Sequence, residues 1–297
     1  MLRRVGKRRY FLQVFASFSS AVPSVSIYCS NLQERLKLPN EMLKDEHLQI
    51  DDAGLILFDT PKGLSLRLGE MNPFSRTEAP WKIDFNDYKR RVKNVHSELV
   101  VSSVNHCNHS HTVIDLTAGL GRDGFLLASA NMNVILIERN IVLYSLLHDA
   151  IERLRLQENI SDSSNSIGRR MTVIHDDSTE LDTEKLLNKA LAISPSTSRL
   201  SVYLDPMYPS KSVGRKSNVK KETQMLHRLV GIGKRCENEI QNENNKLMLQ
   251  AQILLKNSRL KGKIVVKRPL GAKPITDLLP SSTIKGSSQR FDIYHSS

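Results

Sequence analysis

The chain has 297 residues, of which 39% are hydrophobic and 25% charged, an ordinary globular composition that excludes full-length disorder. Its 14 glycines and 11 prolines are too few for a collagen-like or low-complexity chain, and no apolar run approaches the roughly 18 residues of a transmembrane helix. Three cysteines far apart (Cys29, Cys107, Cys236) offer no disulfide framework, and a net charge of +12 favours a polyanionic partner such as nucleic acid.

Residues 1–33 carry five of the cations (Arg3, Arg4, Lys7, Arg8, Arg9) and no acid, so the remainder keeps an excess of seven. Arg-rich, Ser-rich and acid-free, with Phe and Val interleaved, this stretch has the composition of an organelle transit peptide. It predicts a mitochondrial address, with a plastid address or a basic tail on a cytoplasmic protein as alternatives. Residues 34–50 read as a short charged helix.

Leu55–Leu68 follows as two apolar stretches around a Thr-Pro-Lys-Gly turn, which predicts a β-hairpin. Trp81–Phe85 suggests a third strand and Asp87–Val101 a basic helix. Residues 34–105 therefore form a small N-terminal α/β module ahead of a larger domain at 106–297.

From His111 onward, short β-branched strands alternate with helical stretches. The predicted strands are Thr112–Leu116, Val134–Ile137, Met171–Ile174, Leu200–Leu204 and Lys263–Val266. The predicted helices are 124–130, 141–156, 183–193, 221–234 and 246–257. This pattern specifies an α/β fold, a mostly parallel, Rossmann-like sheet with helices on both faces. Ser282–Ile284 and Gln289–Tyr294 predict a terminal hairpin at the sheet edge. Residues 237–247, polar and Asn-rich, read as an exposed insertion.

The candidate site residues fall after the strands, where open α/β sheets bind ligands. Asp115 ends the first strand, and Gly119, Gly121 and Gly124 then spell the literal dinucleotide fingerprint before a helix. A carboxylate at that point suits a cationic ligand better than a pyrophosphate. Glu138 ends the second strand, where an acid can accept from both ribose hydroxyls. Asp177 and Ser178 follow the third strand and could reach an adenine edge. After the fourth come Asp205, Pro206, Met207, Tyr208 and Pro209, a stiffened turn with an acid and an aromatic face suited to gripping a planar base. Lys211, Arg215, Lys216, Lys220 and Lys221 form a basic run beyond that loop, and Lys267 and Arg268 follow the fifth strand; all suggest phosphate contacts. His106, Cys107, His109 and His111 fit no standard zinc spacing, so no metal is expected.

In order, DLTAGLGRDGF, LIERN, HDDS, YLDPMYP, VVKRP and RFDIY resemble the RsmJ-like family of bacterial 16S rRNA guanine-N2 methyltransferases over about Ile114–Tyr294. The resemblance implies a class I methyltransferase that uses S-adenosylmethionine (SAM), with ribosomal RNA or the small ribosomal subunit as its partner and no membrane association. It places Arg122 and Asp123 at cofactor positions in the glycine turn, Glu138 and Arg139 at a ribose-side pair, and Asp205 at the acid of the Asp-Pro-Met-aromatic-Pro loop. Asp177 and Ser178 stand where the family has two serines. Two further readings remain open on the residues: an NAD-dependent oxidoreductase using the literal glycine fingerprint, and a non-catalytic RNA-binding assembly factor on the same fold.

Overall fold

The computed structural model describes residues 12–13, 25–28, 55–68, 81–104, 111–160, 166–207 and 236–295. A small sheet contains β1 (Leu12–Gln13), β2 (Val25–Tyr28), β3 (Leu55–Thr60) and β4 (Gly63–Leu68), in that order. The last two strands are the predicted hairpin. β2 runs parallel to β3, Val25 opposite Leu55, so part of the basic N-terminal segment belongs to this sheet. The expected charged helix at 34–50 lies outside the described residues.

Trp81 does not begin a strand. It makes one antiparallel bridge to Leu66, and Phe85–Tyr88 forms a 3-10 turn instead. The single helix expected over Asp87–Val101 is also broken, into α1 (Lys89–Val92), a 3-10 turn at Val95–Ser97 and α2 (Leu99–Val104). The break at Lys93-Asn94 lets Val95 turn into the core beneath the basic face.

The large sheet is built from β5 (His111–Asp115), β6 (Asn133–Glu138), β7 (Met171–His175), β8 (Arg199–Leu204), β9 (Lys261–Pro269), β10 (Ser282–Lys285) and β11 (Gln289–His295). Its spatial order is β10-β11-β9-β8-β5-β6-β7. The strands β5 to β9 are parallel, while β11 runs antiparallel to β9 and β10 to β11. Strand order reverses between β5 and β8. At such a switch point the two neighbouring crossovers leave on opposite faces and open a crevice at the strands' carboxyl ends.

The helices that connect these strands are α3 (Arg122–Ser129), α4 (Ile141–Ile160), α5 (Thr183–Ile193) and α6 (Glu237–Ser258). One buried cluster packs α3 and α4 on one face of the sheet; another packs α5 and α6 on the opposite face. The first cluster also takes in Leu57, Leu64, Leu66, Ile83 and Phe85, so the N-terminal module shares the core of the larger domain. Phe85 stacks on Phe125 at 4.8 Å with the rings 7° from parallel. Such a pair contributes roughly 0.5–1.5 kcal/mol beyond the area it buries.

Asp149 of α4 fixes the docking angle. Its carboxylate, 3% exposed, accepts from the Leu64 amide at 3.0 Å and from Arg153 Nε at 2.8 Å. Arg153 also donates to the Ile83 carbonyl at 2.6 Å. The hairpin, the 81–85 segment and α4 are therefore tied by one charge-assisted network, and loss of either partner would strand a buried charge.

The polar stretch 237–247 is not an exposed insertion. It is the first half of α6, a 22-residue helix that starts on a capping box formed by Cys236 and Glu239. Its Asn244 and Leu247 are buried, 6% and 4% exposed. Ile240, Asn244 and Leu247 recur at helical spacing, a period hidden by the polar residues among them.

Candidate functional site

A cavity of about 170 Å³ opens at the carboxyl ends of β5 to β8, at the switch point. Its floor is the β5–α3 turn. Asp115 is 2% exposed, and its Oδ1 accepts from the Thr117 amide at 2.9 Å and the Thr117 hydroxyl at 3.3 Å. Thr117 Oγ1 accepts in turn from the Asp205 amide at 2.6 Å, which joins the two turns that flank the switch. Burial, together with the charges of Asp123 and Asp205, pushes the Asp115 carboxyl up to about 8 against its Thr117 bonds. Asp115 thus organises the turn from below and does not line the cavity.

The glycine turn follows. Gly119 and Gly121 have φ of 52° and 68°, in the left-handed region. A Cβ on Gly121 would come within 2.5 Å of Leu147 Cδ1. Gly124 lies against β6, where a Cβ would meet Leu136 Cδ2 at 2.5 Å, so this glycine sets the approach of α3 to the sheet. The Gly119 amide donates to Glu138 Oε2 at 2.8 Å and the Gly121 amide to the Ala118 carbonyl at 2.8 Å. These N–H groups are therefore already engaged and do not form a phosphate nest.

Glu138 lines the cavity and is 8% exposed. Its Oε1 accepts from the Asn140 amide at 2.7 Å and its Oε2 from Gly119. Each oxygen keeps a second lone pair, which is what two ribose hydroxyls require. Burial pushes this carboxyl up to about 7, against those two bonds and the nearby Arg139 charge. Arg139 also lines the cavity, paired with Glu243 of α6 at 2.7 Å, so the pair closes the wall between β6 and α6. Asp177 and Ser178 line the cavity beside them, after β7, where the Asp176 amide donates to the Glu138 carbonyl. Asp177 Oδ1 closes a tight turn by accepting from the Thr179 amide and hydroxyl, both at 2.8 Å, and Ser178 is buried.

Asp205 and Pro206 line the cavity beside Met207. Lys267 Nζ lies 2.8 Å from Asp205 Oδ2 and 2.8 Å from Asp123 Oδ2, and the Tyr203 hydroxyl donates to the same Asp123 oxygen at 2.7 Å. Burial raises the Asp123 carboxyl, but Lys267 and the Tyr203 bond outweigh it and hold it below the usual range. Asp205 is pushed up by burial and by the Asp123 charge, with Lys267 opposing. Lys267 is itself held above the usual lysine range by the two carboxylates.

Several expected positions lie elsewhere. Arg122 does not line the cavity; its guanidinium lies 5.6 Å from the centre of the Tyr88 ring. Asp123 is engaged with Lys267 and Tyr203. Lys267 and Arg268 are not a phosphate surface: Lys267 bridges two carboxylates, and Arg268, 4% exposed, turns back to the Lys273 carbonyl at 3.0 and 3.1 Å. Both are side chains of a strand held within the sheet; α3 and the turn after β8 supply the partners of Lys267, and the loop after β9 that of Arg268. His111 is likewise buried, with Nε2 2.9 Å from Ser201 Oγ. Tyr208, Lys211, Arg215, Lys216, Lys220, Lys221, His106, Cys107 and His109 lie outside the described residues.

The sequence reading missed the α6 wall. Asn244 faces the cavity with no hydrogen-bond partner for its amide among the described residues, so it is equipped to read a polar ligand edge. Among the described residues, the charged groups on the lining are Glu138, Asp177, Asp205 and Glu243 against Arg139. With its glycine amides engaged and its lining acidic, the cavity suits a ligand with a ribose and positive charge. It opposes a pyrophosphate, and the dinucleotide reading with it.

The strand order, the acid after the second strand and the acid-proline turn after the fourth define a class I SAM-dependent methyltransferase. A SAM-dependent methyltransferase family profile matches residues 41–296. Ribosomal RNA small subunit methyltransferase J of Coxiella burnetii is 32% identical over 274 residues, 89% of this chain and 93% of that one. The protein of that name from Photorhabdus laumondii is 32% identical over 82% of this chain and 88% of its own length. A crystal structure of a SAM-dependent methyltransferase from Neisseria gonorrhoeae shares the fold, with a TM-score of 0.56 at 24% identity over 84% of this chain and 86% of that one. The chain belongs to this SAM-dependent methyltransferase family.

Proposed function

We propose that this enzyme methylates the exocyclic N2 amine of a guanine in small-subunit ribosomal RNA. The observation that carries the reading is Asp205. It stands at the end of β8, with its backbone pinned by Thr117 and one carboxylate oxygen held by Lys267, on a cavity suited to SAM. Similarity to ribosomal RNA methyltransferases over most of the chain supports the choice of substrate.

Bound SAM supplies a methyl group already activated on a sulfonium. What remains for the chain is alignment of the nucleophile and management of charge. Glu138 would hold the ribose hydroxyls, and Asn244 and Ser178 would contact the polar edges of the ligand. The lone pair of a guanine N2 amine is delocalised into the ring. Asp205, its Oδ2 fixed by Lys267, can accept from that amine through Oδ1 and favour its rehybridisation as positive charge develops. Pro206 restricts the turn that carries this carboxylate. Tyr208, next along the loop, offers a ring on which an unstacked base could rest.

The basic residues Lys211, Arg215, Lys216, Lys220 and Lys221 would follow the RNA backbone, and the acid-free N-terminal composition supports delivery to mitochondria. Nucleoside analysis of small-subunit ribosomal RNA from cells with and without this protein tests the reaction. Loss of one N2-methylguanine supports it, and an unchanged guanine methylation pattern defeats it.

A further inference from the structure

The basic stretch around α1 has no part in the reaction described so far, yet the fold brings it to the catalytic edge of the sheet. Arg90, Arg91 and Lys93 are exposed. Arg91 is shared with Glu98 through two bonds of 2.8 and 2.6 Å, whereas Arg90 and Lys93 form no ion pair among the described residues. Asp87 is the one exposed acid in the segment 81–98.

Two contacts and one charge interaction locate this face. The Arg122 guanidinium, at the start of α3 directly after the glycine turn, lies over the ring of Tyr88 at 5.6 Å. Arg91 feels the charge of Asp123, the carboxylate that shares Lys267 with Asp205. The other contact comes from the C-terminal hairpin. β11 is antiparallel to β9, with Gln289 opposite Pro269, so the tip of the β10–β11 hairpin lies beside the carboxyl end of β9. At that tip Gly286 is pressed against Leu99, where an added Cβ would fall 2.5 Å from Leu99 Cδ1. The neighbouring Lys285 is exposed. Residues nearly 200 positions apart in sequence thus present cations along one rim, next to the Asp123–Lys267–Asp205 network.

We propose that Arg90, Lys93 and Lys285, with Arg91 and Arg122 between them and the site, form a phosphate-docking rim. On it the N-terminal module and the C-terminal hairpin together grip the RNA strand beside the target nucleotide. The inference rests on the RNA methyltransferase reading above and assigns a role to the module. A nucleotide entering the cavity must leave its stack, so its flanking phosphates have to be held from outside the cavity. Exposed cations on elements packed beside the Asp123–Lys267–Asp205 network meet that need, and the acidic lining does not.

The test compares wild-type protein with the triple variant Arg90→Glu/Lys93→Glu/Lys285→Glu. None of the three side chains touches the cavity or the catalytic network. Fluorescence anisotropy measures affinity for a fluorescein-labelled single-stranded RNA oligonucleotide across a salt series, and calorimetry measures SAM affinity. Each single-strand phosphate contact contributes about 0.7 to the salt slope, so losing three should lower the slope by about 2 and weaken RNA binding on the order of 10–100-fold near 0.1 M salt. SAM affinity should stay at the wild-type value, which also certifies the fold of the variant. RNA affinity and slope both at wild-type values in that variant would overturn the proposal. So would a variant that binds RNA normally but no longer binds anionic phospholipid vesicles. Wild-type protein that shows the salt-dependent RNA binding and loses it in the variant, yet methylates no ribosomal RNA, would defeat the proposed reaction and leave the rim standing.

Discussion

Replacing Lys267 with Met probes the arrangement that holds Asp205. The ammonium lies 2.8 Å from both Asp123 and Asp205, and it is the cation bonded to each of them among the described residues. Without it, two carboxylates face each other across one vacated position. Removing one partner of a buried ion pair costs about 3–5 kcal/mol. The Asp205 side chain is 40% exposed and solvent screens its share, so a loss of roughly 2–3 kcal/mol is expected. The pH dependence has a definite sign. Lys267 lowers the Asp205 pKa against burial and the Asp123 charge, so its removal raises that pKa further. A reaction that needs ionised Asp205 then loses activity at a higher pH than in the wild type. Chemical denaturation gives the stability loss, and kcat against pH gives the shift of the acid limb. Lys267→Arg should restore most of both, because it returns the charge. A Lys267→Met enzyme with wild-type stability and an unmoved acid limb would refute the reasoning.

Glu138 is held near a pKa of about 7 by burial, and it binds ribose hydroxyls best when ionised. SAM affinity should therefore rise as pH passes upward through about 7 and fall below it. In Glu138→Gln the affinity should be lower by about 1–3 kcal/mol and nearly flat with pH, as calorimetry across that range would read. Asp115 bears on stability instead: its folded pKa, about 8, lies above its unfolded value of 3.8, so the folded state holds the extra proton. Stability should decline as pH rises between those values, and Asp115→Asn should flatten that decline in a thermal melt series. Asn244→Leu should weaken SAM binding about tenfold with little change in melting temperature, since its amide faces the cavity and bonds to no described residue. Gly121→Ala should lower stability by about 1–3 kcal/mol, because it forces a left-handed backbone and a 2.5 Å approach to Leu147.

The parallel sheet was legible because its strands are short, β-branched and, apart from the part-exposed edge strand β7, largely buried, while the helices between them keep their own period. Thr183–Ile193 was bounded to the residue, since Asp182 caps it and accepts from the Lys185 amide at 2.9 Å. Glu138 and Asp205 were legible for a related reason: an acid at the carboxyl end of a buried strand has few structural uses, and both line the cavity. The α6 wall was hidden because Glu243 and Asn244, which line a polar ligand site, look the same in sequence as solvent-facing residues. Lys267 and Arg268 misled for the mirror-image reason. Cations read as surface residues unless their partners are known, and those partners, Asp123, Asp205 and the Lys273 carbonyl, are brought to them only by the fold. The break in the 87–101 helix follows from docking against α3 and its Phe125, a tertiary demand that local propensity does not carry.

The most direct test of the account incubates purified protein with methyl-labelled SAM and small ribosomal subunits or their naked RNA, followed by nucleoside analysis of the product. The wild type should place label on guanine N2, and Asp205→Asn should lower that turnover at least 10²-fold while SAM and RNA affinities change little, the scale for a positioned electrostatic group. Near-normal guanine methylation by Asp205→Asn, or label on another base or on protein in the wild-type reaction, would contradict it.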